Sequence, residues 1–529
     1  MFLLNGGCEF LDKKERFRVL FLILAIGGIV RLYLLINTAV IAIDGIEYIN
    51  CAKAYASFDF SRALSHFYPP LYPVLIAFFN LFIREWELAG QVVSLVAGVL
   101  LIFPVYFLAM RLYGERIAIL SALLAAVHPQ LVIYSAQVRS ESAYFALSAF
   151  ALYFGWRAVS ENRLFFFLLL GFFSSLSYLT RPEGICILLL FAIWHLIGLG
   201  AKPSPSVLRR LLCIGCSFLP SVPLVGAYIL VISGIASSEP FGITLSLKRS
   251  VAHIFGYRRF ILEEPGGDIV FEKQKFFEFL ATWASNFVQL LGKFASKVFH
   301  PLLMLFLLVG VFHRKTVQRR TRFETFILVY FFLFIALFSF IRVSTRHPTQ
   351  LIAPLLVLPA IGLFEMVDVL NQRFRMSAKN ARLLFGSLVV LLVVALIQQF
   401  ITSNRGYLYP VRFCGEWIKQ NSPYRIPRIA TDWARIPFYA DGLLVGSRSL
   451  VIGNRNNGKV KLNRENLEKI LSARDADYVV FAKEQFIKED EDYLNNHPRL
   501  VSIAEFLSPE NTEHEGPTIL LFEVLDRGR

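Results

Sequence analysis

Apolar runs long enough to cross a bilayer recur along this chain as far as residue 401, and no other feature narrows its fold so much. A spanning helix needs about 20 predominantly apolar residues. A chain with many such runs is expected to fold as a polytopic α-helical membrane protein. Eleven spans are read, near 17–36, 87–110, 116–134, 142–158, 163–179, 183–200, 208–233, 295–312, 323–341, 349–370 and 382–401. The segment 71–83 is apolar but short, and Pro69, Pro70 and Pro73 lead it. It reads as an interfacial helix or as the start of the second span. Only 18% of the residues are charged, where a soluble chain has about 25%.

The basic residues assign sides. Lys13, Lys14, Arg16 and Arg18 precede the first span. That span is long for a signal-peptide core and no A-x-A site follows, so it reads as a retained helix with a cytoplasmic N-terminus. Arg111 and Arg116, Arg157 and Arg163, then Lys202, Arg209 and Arg210 fall in alternate loops. So do Arg314, Lys315, Arg319, Arg320 and Arg322, and then Arg373, Arg375, Lys379 and Arg382. Loops rich in Lys and Arg stay cytoplasmic. This places 37–86, 234–294 and the tail from 403 outside.

The tail differs in kind. Residues 403–529 carry 18 basic and 18 acidic side chains, so the net charge of +15 belongs to the membrane part. It reflects topology and anionic headgroups rather than nucleic acid. Strand-like runs (DYVVFA, TILLFEVL) alternate with helical ones (FCGEWIKQ, NRENLEKILSARD). The expected organisation is a membrane domain over 1–402 and a small extracytoplasmic α/β domain over 403–529.

Candidate chemistry starts just after the first span, in IAIDGIEYINCAKAY. If 44–57 is helical, Asp44, Glu47, Tyr48, Cys51 and Tyr55 share one face. Two carboxylates at the membrane edge suit either an amphipathic helix with solvated acids or a general base facing the lipid surface. The following SHFYPPLYP, with His66 and Tyr68, is proline-stiffened and would hold its loop rigidly. Three further polar clusters fall at expected outer helix ends: Arg139 with Glu141, Arg181 with Glu183, and Arg342 with Arg346 and His347. Each alone is ordinary interfacial flanking. Together they suggest a shared polar cavity whose arginines can grip phosphate oxygens. The stretch SLKRSVAHIFGYRRF has helical spacing, and its basic residues include Arg258 and Arg259. It reads as a surface-lying amphipathic helix or as a lid that contacts lipid phosphate.

Other signals carry little. There is no P-loop and no G-x-G-x-x-G, and no residues are spaced as a metal cage. The Cys213-x-x-Cys216 pair lies in an apolar span and reads as packing. DAD at 475–477 is too short a match to a metal-holding D-x-D, and EDED at 489–492 reads as a solvated face.

The early acidic loop, YPPLYP, the outer Glu141, TRPEG and RHPTQLIAPLLVLPA together resemble the GT-C membrane glycosyltransferases. The likeness is to the protein O-mannosyltransferase and lipid A aminoarabinose transferase superfamily (glycosyltransferase families 39 and 83), over roughly residues 15–400. It implies a polyprenyl-phosphate-linked sugar donor, a protein, lipid or glycan acceptor on the outer face, and an inverting reaction without a required cofactor. Asp44 holds the position of the family's base, although the family's DE pair is broken here by Gly45. Glu47 is a supporting or rival acid, and Glu141 matches the second acidic position. Arg346, His347 and Arg181, with Arg258 and Arg259, are the donor-phosphate candidates. Tyr48, His66, Tyr68 and Glu183 are the positioning candidates. The expected location is a bacterial inner membrane. A transporter or flippase of a lipid-linked glycan, and a non-catalytic envelope assembly protein, are the rival readings.

Overall fold

The computed structural model describes residues 12–64, 68–199, 205–230, 257–261, 269–273, 276–312, 321–340, 343–401, 406–446, 450–452, 461–483, 488–507 and 517–525. His66, Arg342 and the basic residues Lys202, Arg314, Lys315, Arg319 and Arg320 lie outside them. The chain divides into two compact units. One falls within 1–36, 47–262 and 267–403, and the other takes 37–46 and 404–529.

The first unit is a helical bundle. Lys14–Ile36, Trp86–Tyr113, Arg322–Ser339 and a helix from Ala378 are each long and apolar enough to cross a membrane. Four more stretches pass the same test only as bent pairs, so the described residues hold four such helices, or up to eight if each pair is one span. Four of the eleven spans expected from sequence are bent among the described residues, and the bends have a local cause. Glu115–Val127 bends by 52° into Pro129–Ser135, and Phe277–Val298 bends by 111° into Pro301–Phe312. Val207–Phe218 bends by 42° into Val222–Leu230, and His347–Leu355 bends by 49° into Val357–Phe374. Pro129, Pro301, Pro220 with Pro223, and Pro354 with Pro359 sit at or beside these breaks. A proline removes one helical hydrogen bond and clashes with the preceding turn. Leu71–Ile83, Leu164–Tyr178 and Pro182–Leu196 are shorter apolar helices.

Close packing holds the bundle together. A Cβ on Gly362 would lie 1.7 Å from the Phe306 carbonyl oxygen, and one on Gly310 would lie 2.3 Å from that of Leu358. Small residues at a helix crossing let backbones approach and gain dispersion where lipid offers no hydrophobic drive. At one end of the bundle Arg111, Arg157 and Arg163 reach Glu161 at 2.8, 2.8 and 3.8 Å. Arg209 bonds the Asn162 carbonyl close by. These arginines were assigned to one side from sequence, and they meet at one end of the bundle.

The segment YRRFI departs from expectation. Tyr257–Ile261 is a strand paired antiparallel with Ile269–Lys273, so Arg258 stands opposite Glu272 and Arg259 opposite Phe271. Aromatic and β-branched residues fill both runs, and in the sequence PGG lies between them, a turn signal that argues against one continuous helix.

The second unit carries a mixed five-stranded sheet. Its order is Leu443–Val445, Arg428–Ala430, Tyr478–Ala482, Ile519–Val524, Leu500–Phe506. The first three strands are parallel and the last two join antiparallel. Helices Tyr409–Asn421 and Arg464–Ala473 form where the sequence was helical. The Tyr478–Ala482 strand is buried along its whole length, as a central strand covered on both faces should be. Asp477 of the DAD triplet is structural: it accepts from the Arg428 amide at 2.8 Å and from its guanidinium at 3.0 Å. EDED is not wholly solvated either. Asp490 is buried and accepts from Arg464 at 2.6 Å and from the Leu462 amide at 2.9 Å.

Candidate active site

The helix that begins the candidate site runs over Ile43–Ala56 and carries Asp44 in its first turn. Asp44 and Glu47 are half-buried, while Tyr48 and Cys51 are buried. The helical face read from sequence is therefore present, with its acids toward the N-terminal end. A carboxylate in the first turn is favoured by the unsatisfied amides and dipole there.

Tyr48 fastens this helix to the bundle. Its hydroxyl lies 2.7 Å from Ser140 Oγ, beside Glu141. Its ring packs on Tyr68 at 4.5 Å and edge-on to Tyr72 at 4.9 Å between centroids. Tyr72 in turn bonds Ser94 Oγ at 2.7 Å, and Ser94 donates to the Arg139 carbonyl at 3.1 Å. The Leu71 amide donates to the Leu179 carbonyl at 2.9 Å, so the YPPLYP segment is stitched to the turn before TRPEG. The proline-rich segment is thus held by specific bonds, as its stiffness suggested.

Glu141 lies at the centre. It stands in the first turn of the helix Ser140–Glu161 and is 1% exposed. The Arg346 guanidinium donates from Nε to Glu141 Oε1, and Arg181 approaches the same oxygen at 3.4 Å. Arg181 also bonds Glu183 at 3.2 Å. The 3-10 turn Pro182–Gly184 makes this possible. Proline starts the turn, and glycine lets it sit against the backbone of Ser177 and Tyr178, where a Cβ would come within 2.5 Å. Arg346 leads into the turn His347–Leu351, which opens on Pro348. The His347 ring stacks on Phe338 at 4.6 Å with 13° between planes, and Tyr144 donates to Gln350 Oε1 from below the same turn. Arg139 sits over the Tyr134 ring at 5.3 Å.

The structure therefore brings together Tyr48, Tyr68, Glu141, Arg181, Glu183, Arg346 and His347. Arg258 and Arg259 stand on the strand Tyr257–Ile261. Burying Glu141 between two half-buried arginines is tolerable only when the charges are paired and bonded. Oε2 of Glu141, Oε2 of Glu183 and Nδ1 of His347 are buried without a hydrogen-bond partner, so polar capacity remains in the cluster. No group of three or more His, Cys, Asp or Glu side chains among the described residues is placed to hold a metal ion. Sequence reasoning missed the second layer of Tyr72, Ser94, Ser140, Tyr144 and Gln350. Their signal was available as hydroxyl and amide side chains within the apolar helices, where each has to find a partner.

A family model described as dolichyl-phosphate-mannose-protein mannosyltransferase matches residues 68–219. No curated protein matches the chain significantly in sequence. The fold is similar to that of ArnT from Cupriavidus metallidurans, solved bound to undecaprenyl phosphate. The TM-score is 0.55 at 14% identity, covering 95% of this chain and 97% of that one. ArnT in the apo state is similar at TM-score 0.55 and 15% identity, with the same coverage of both chains. The oligosaccharyltransferase of Archaeoglobus fulgidus, tethered with an acceptor peptide, matches at TM-score 0.48 and 14% identity, over 89% of this chain and 69% of that one. The chain thus resembles GT-C membrane glycosyltransferases in sequence over part of its bundle and in fold over nearly its whole length.

Proposed function

We propose that this protein is a membrane glycosyltransferase that moves a sugar from a polyprenyl-phosphate donor to an acceptor on the outer face. The observation that carries the reading is the half-buried Arg181 and Arg346 converging on the buried Glu141, whose neighbour Ser140 is bonded to Tyr48 of the helix that holds Asp44 in its first turn. An acceptor hydroxyl attacks the anomeric carbon and passes its proton to the Asp44 carboxylate. The bond from that carbon to the phosphate oxygen breaks, with inversion. Polyprenyl phosphate leaves as an anion, and Arg181 and Arg346 stabilise the charge it gains. Glu141 holds the two guanidiniums at the right spacing, and Glu47 supports the base. The leaving group is already a stable anion, so the chain's own residues supply both the base and the charge stabilisation.

The test uses the purified full chain in nanodiscs, a panel of polyprenyl-phosphate sugars, and membrane extract as the acceptor source. Release of polyprenyl phosphate with one donor, lost in Asp44→Asn at unchanged melting temperature, is the expected result. Undiminished release by Asp44→Asn removes the base assignment. Failure of every donor moves the protein to the transport or assembly readings.

A further inference from the structure

The C-terminal unit contains a short piece of the chain's beginning. Residues 37–46 cluster with 404–529, and the contacts responsible are specific. The Ile41 amide donates to the Tyr439 hydroxyl at 2.7 Å, and the Ile41 carbonyl accepts from Arg435 Nε at 2.7 Å. Both backbone groups of a single residue are therefore held by side chains nearly 400 positions away. Arg412 reaches the Ala39 carbonyl at 3.3 Å, bonds Glu416 at 2.8 Å, and lies 5.1 Å from the Tyr439 ring centroid. Ala39, Val40, Ile41 and Ala42 are all at most 2% exposed, and Arg435 and Tyr439 are 8% exposed.

The elements are suited to this task. Arg435–Tyr439 is a single helical turn, so Arg435 and Tyr439 lie on one face by i, i+4 spacing. That face grips an irregular piece of chain outside any helix or strand, and buried backbone groups have to be paired. Gly415 permits the close packing of this turn, since a Cβ on it would lie 2.6 Å from the Tyr439 Cβ and 2.7 Å from the Ile436 carbonyl oxygen. The clamp closes three residues before Asp44. The chain between is one turn, with the Gly45 amide on the Ala42 carbonyl at 2.8 Å.

We infer that Arg435 and Tyr439 are positioning residues for Asp44, so that the C-terminal domain serves the transfer reaction by setting the N-terminus of the helix that carries its base. This rests on the reading of Asp44 as base. Side chains distant in sequence but in the same compact unit lock both polar groups of Ile41, and so remove the freedom that the segment 37–42 would have as a surface loop. A base displaced by about 1 Å loses up to about 100-fold in rate.

The experiment compares Tyr439→Phe, Arg435→Met and Arg435→Lys in the full chain in nanodiscs, alone and combined with Asp44→Asn. It uses the polyprenyl-phosphate sugar that supports transfer by the wild type. Tyr439→Phe and Arg435→Met are expected to lower kcat by about 10- to 100-fold with donor KM unchanged, and Arg435→Lys to recover part of the loss. Amide exchange over 41–46 rises in the same variants. On the Asp44→Asn background the clamp variants have no further effect on the residual rate, because residues that act through one group are not additive. Exchange that stays at the wild-type level, or faster exchange with full kcat, overturns the inference while Asp44 keeps its role. Full activity in Asp44→Asn instead overturns the base reading. If Tyr439→Phe is then inactive, the clamp serves some group other than Asp44.

Discussion

At the scale of single residues, two of the acids singled out from sequence, Asp44 and Glu141, sit in different surroundings. Asp44 is half-buried in a first helical turn, where a carboxylate keeps access to a substrate proton. Glu141 is sealed and shares one oxygen with two guanidiniums. Removing one partner of a buried ionic group costs about 3–5 kcal/mol, because the others keep their desolvation without their compensation. Glu141→Gln should therefore lower the melting temperature of the full chain in nanodiscs as well as abolish transfer, whereas Asp44→Asn abolishes transfer alone. A Glu141→Gln protein that melts with the wild type would mean that the arginines are paired by something else. Sequence spacing located both acids. The resemblance gave them different positions, but the pairing of Glu141 with Arg346, 205 positions further on, was not legible in the spacing.

At the scale of elements, the apolar runs were easy to find and their breaks were not. Each bent pair has proline at or beside its break, yet proline also occurs in unbroken helices of this chain, as Pro104 does within Ile102–Tyr113. A break is tolerated where other groups satisfy the carbonyls it frees. At His128 that role falls to Arg31, fully buried in the first span, which donates to the Ala126 and Ala125 carbonyls at 2.7 and 3.2 Å and to that of Gly27 at 2.9 Å. Gly98 leaves room for it, since a Cβ there would lie 2.8 Å from its Nε. A lone arginine in an apolar run gives no sign from sequence of which distant carbonyls it caps. Glycines are equally mute. Gly362 and Gly386 are both helical, but a Cβ on the first would meet a backbone oxygen at 1.7 Å and one on the second meets nothing within 4 Å. Gly362→Ala should force apart the helices Pro301–Phe312 and Val357–Phe374, costing about 1–3 kcal/mol as overpacking does. Gly386→Ala should be neutral, or up to about 1 kcal/mol stabilising through helix propensity. Thermal unfolding of the two variants side by side checks this, and equal melting temperatures would count against the tight crossing.

At the scale of the whole molecule, charge is the property that sorts the chain. The net +15 resides in the helical part and the tail is balanced. The basic residues of alternate loops do more than repeat in sequence: Arg111, Arg157 and Arg163 gather on Glu161, and Arg322 bonds the Leu199 carbonyl at 3.0 Å. Arg139, Arg181 and Arg346, in the intervening turns, gather instead around Glu141. Loops rich in Lys and Arg resist translocation, so the basic loops favour one orientation of the bundle. The expectation from sequence is that the end carrying Arg163, 72% exposed, faces the cytoplasm, and that the tail is outside. Two single-cysteine proteins test this, each made after replacing the native cysteines. Lys469→Cys, at a tail position 67% exposed, should react with a membrane-impermeant maleimide in intact cells with a permeable outer layer. Arg163→Cys should react only after the membrane is opened. The reverse pattern would put Arg163 outside and the tail on the cytoplasmic side, and would overturn the orientation read from the basic loops.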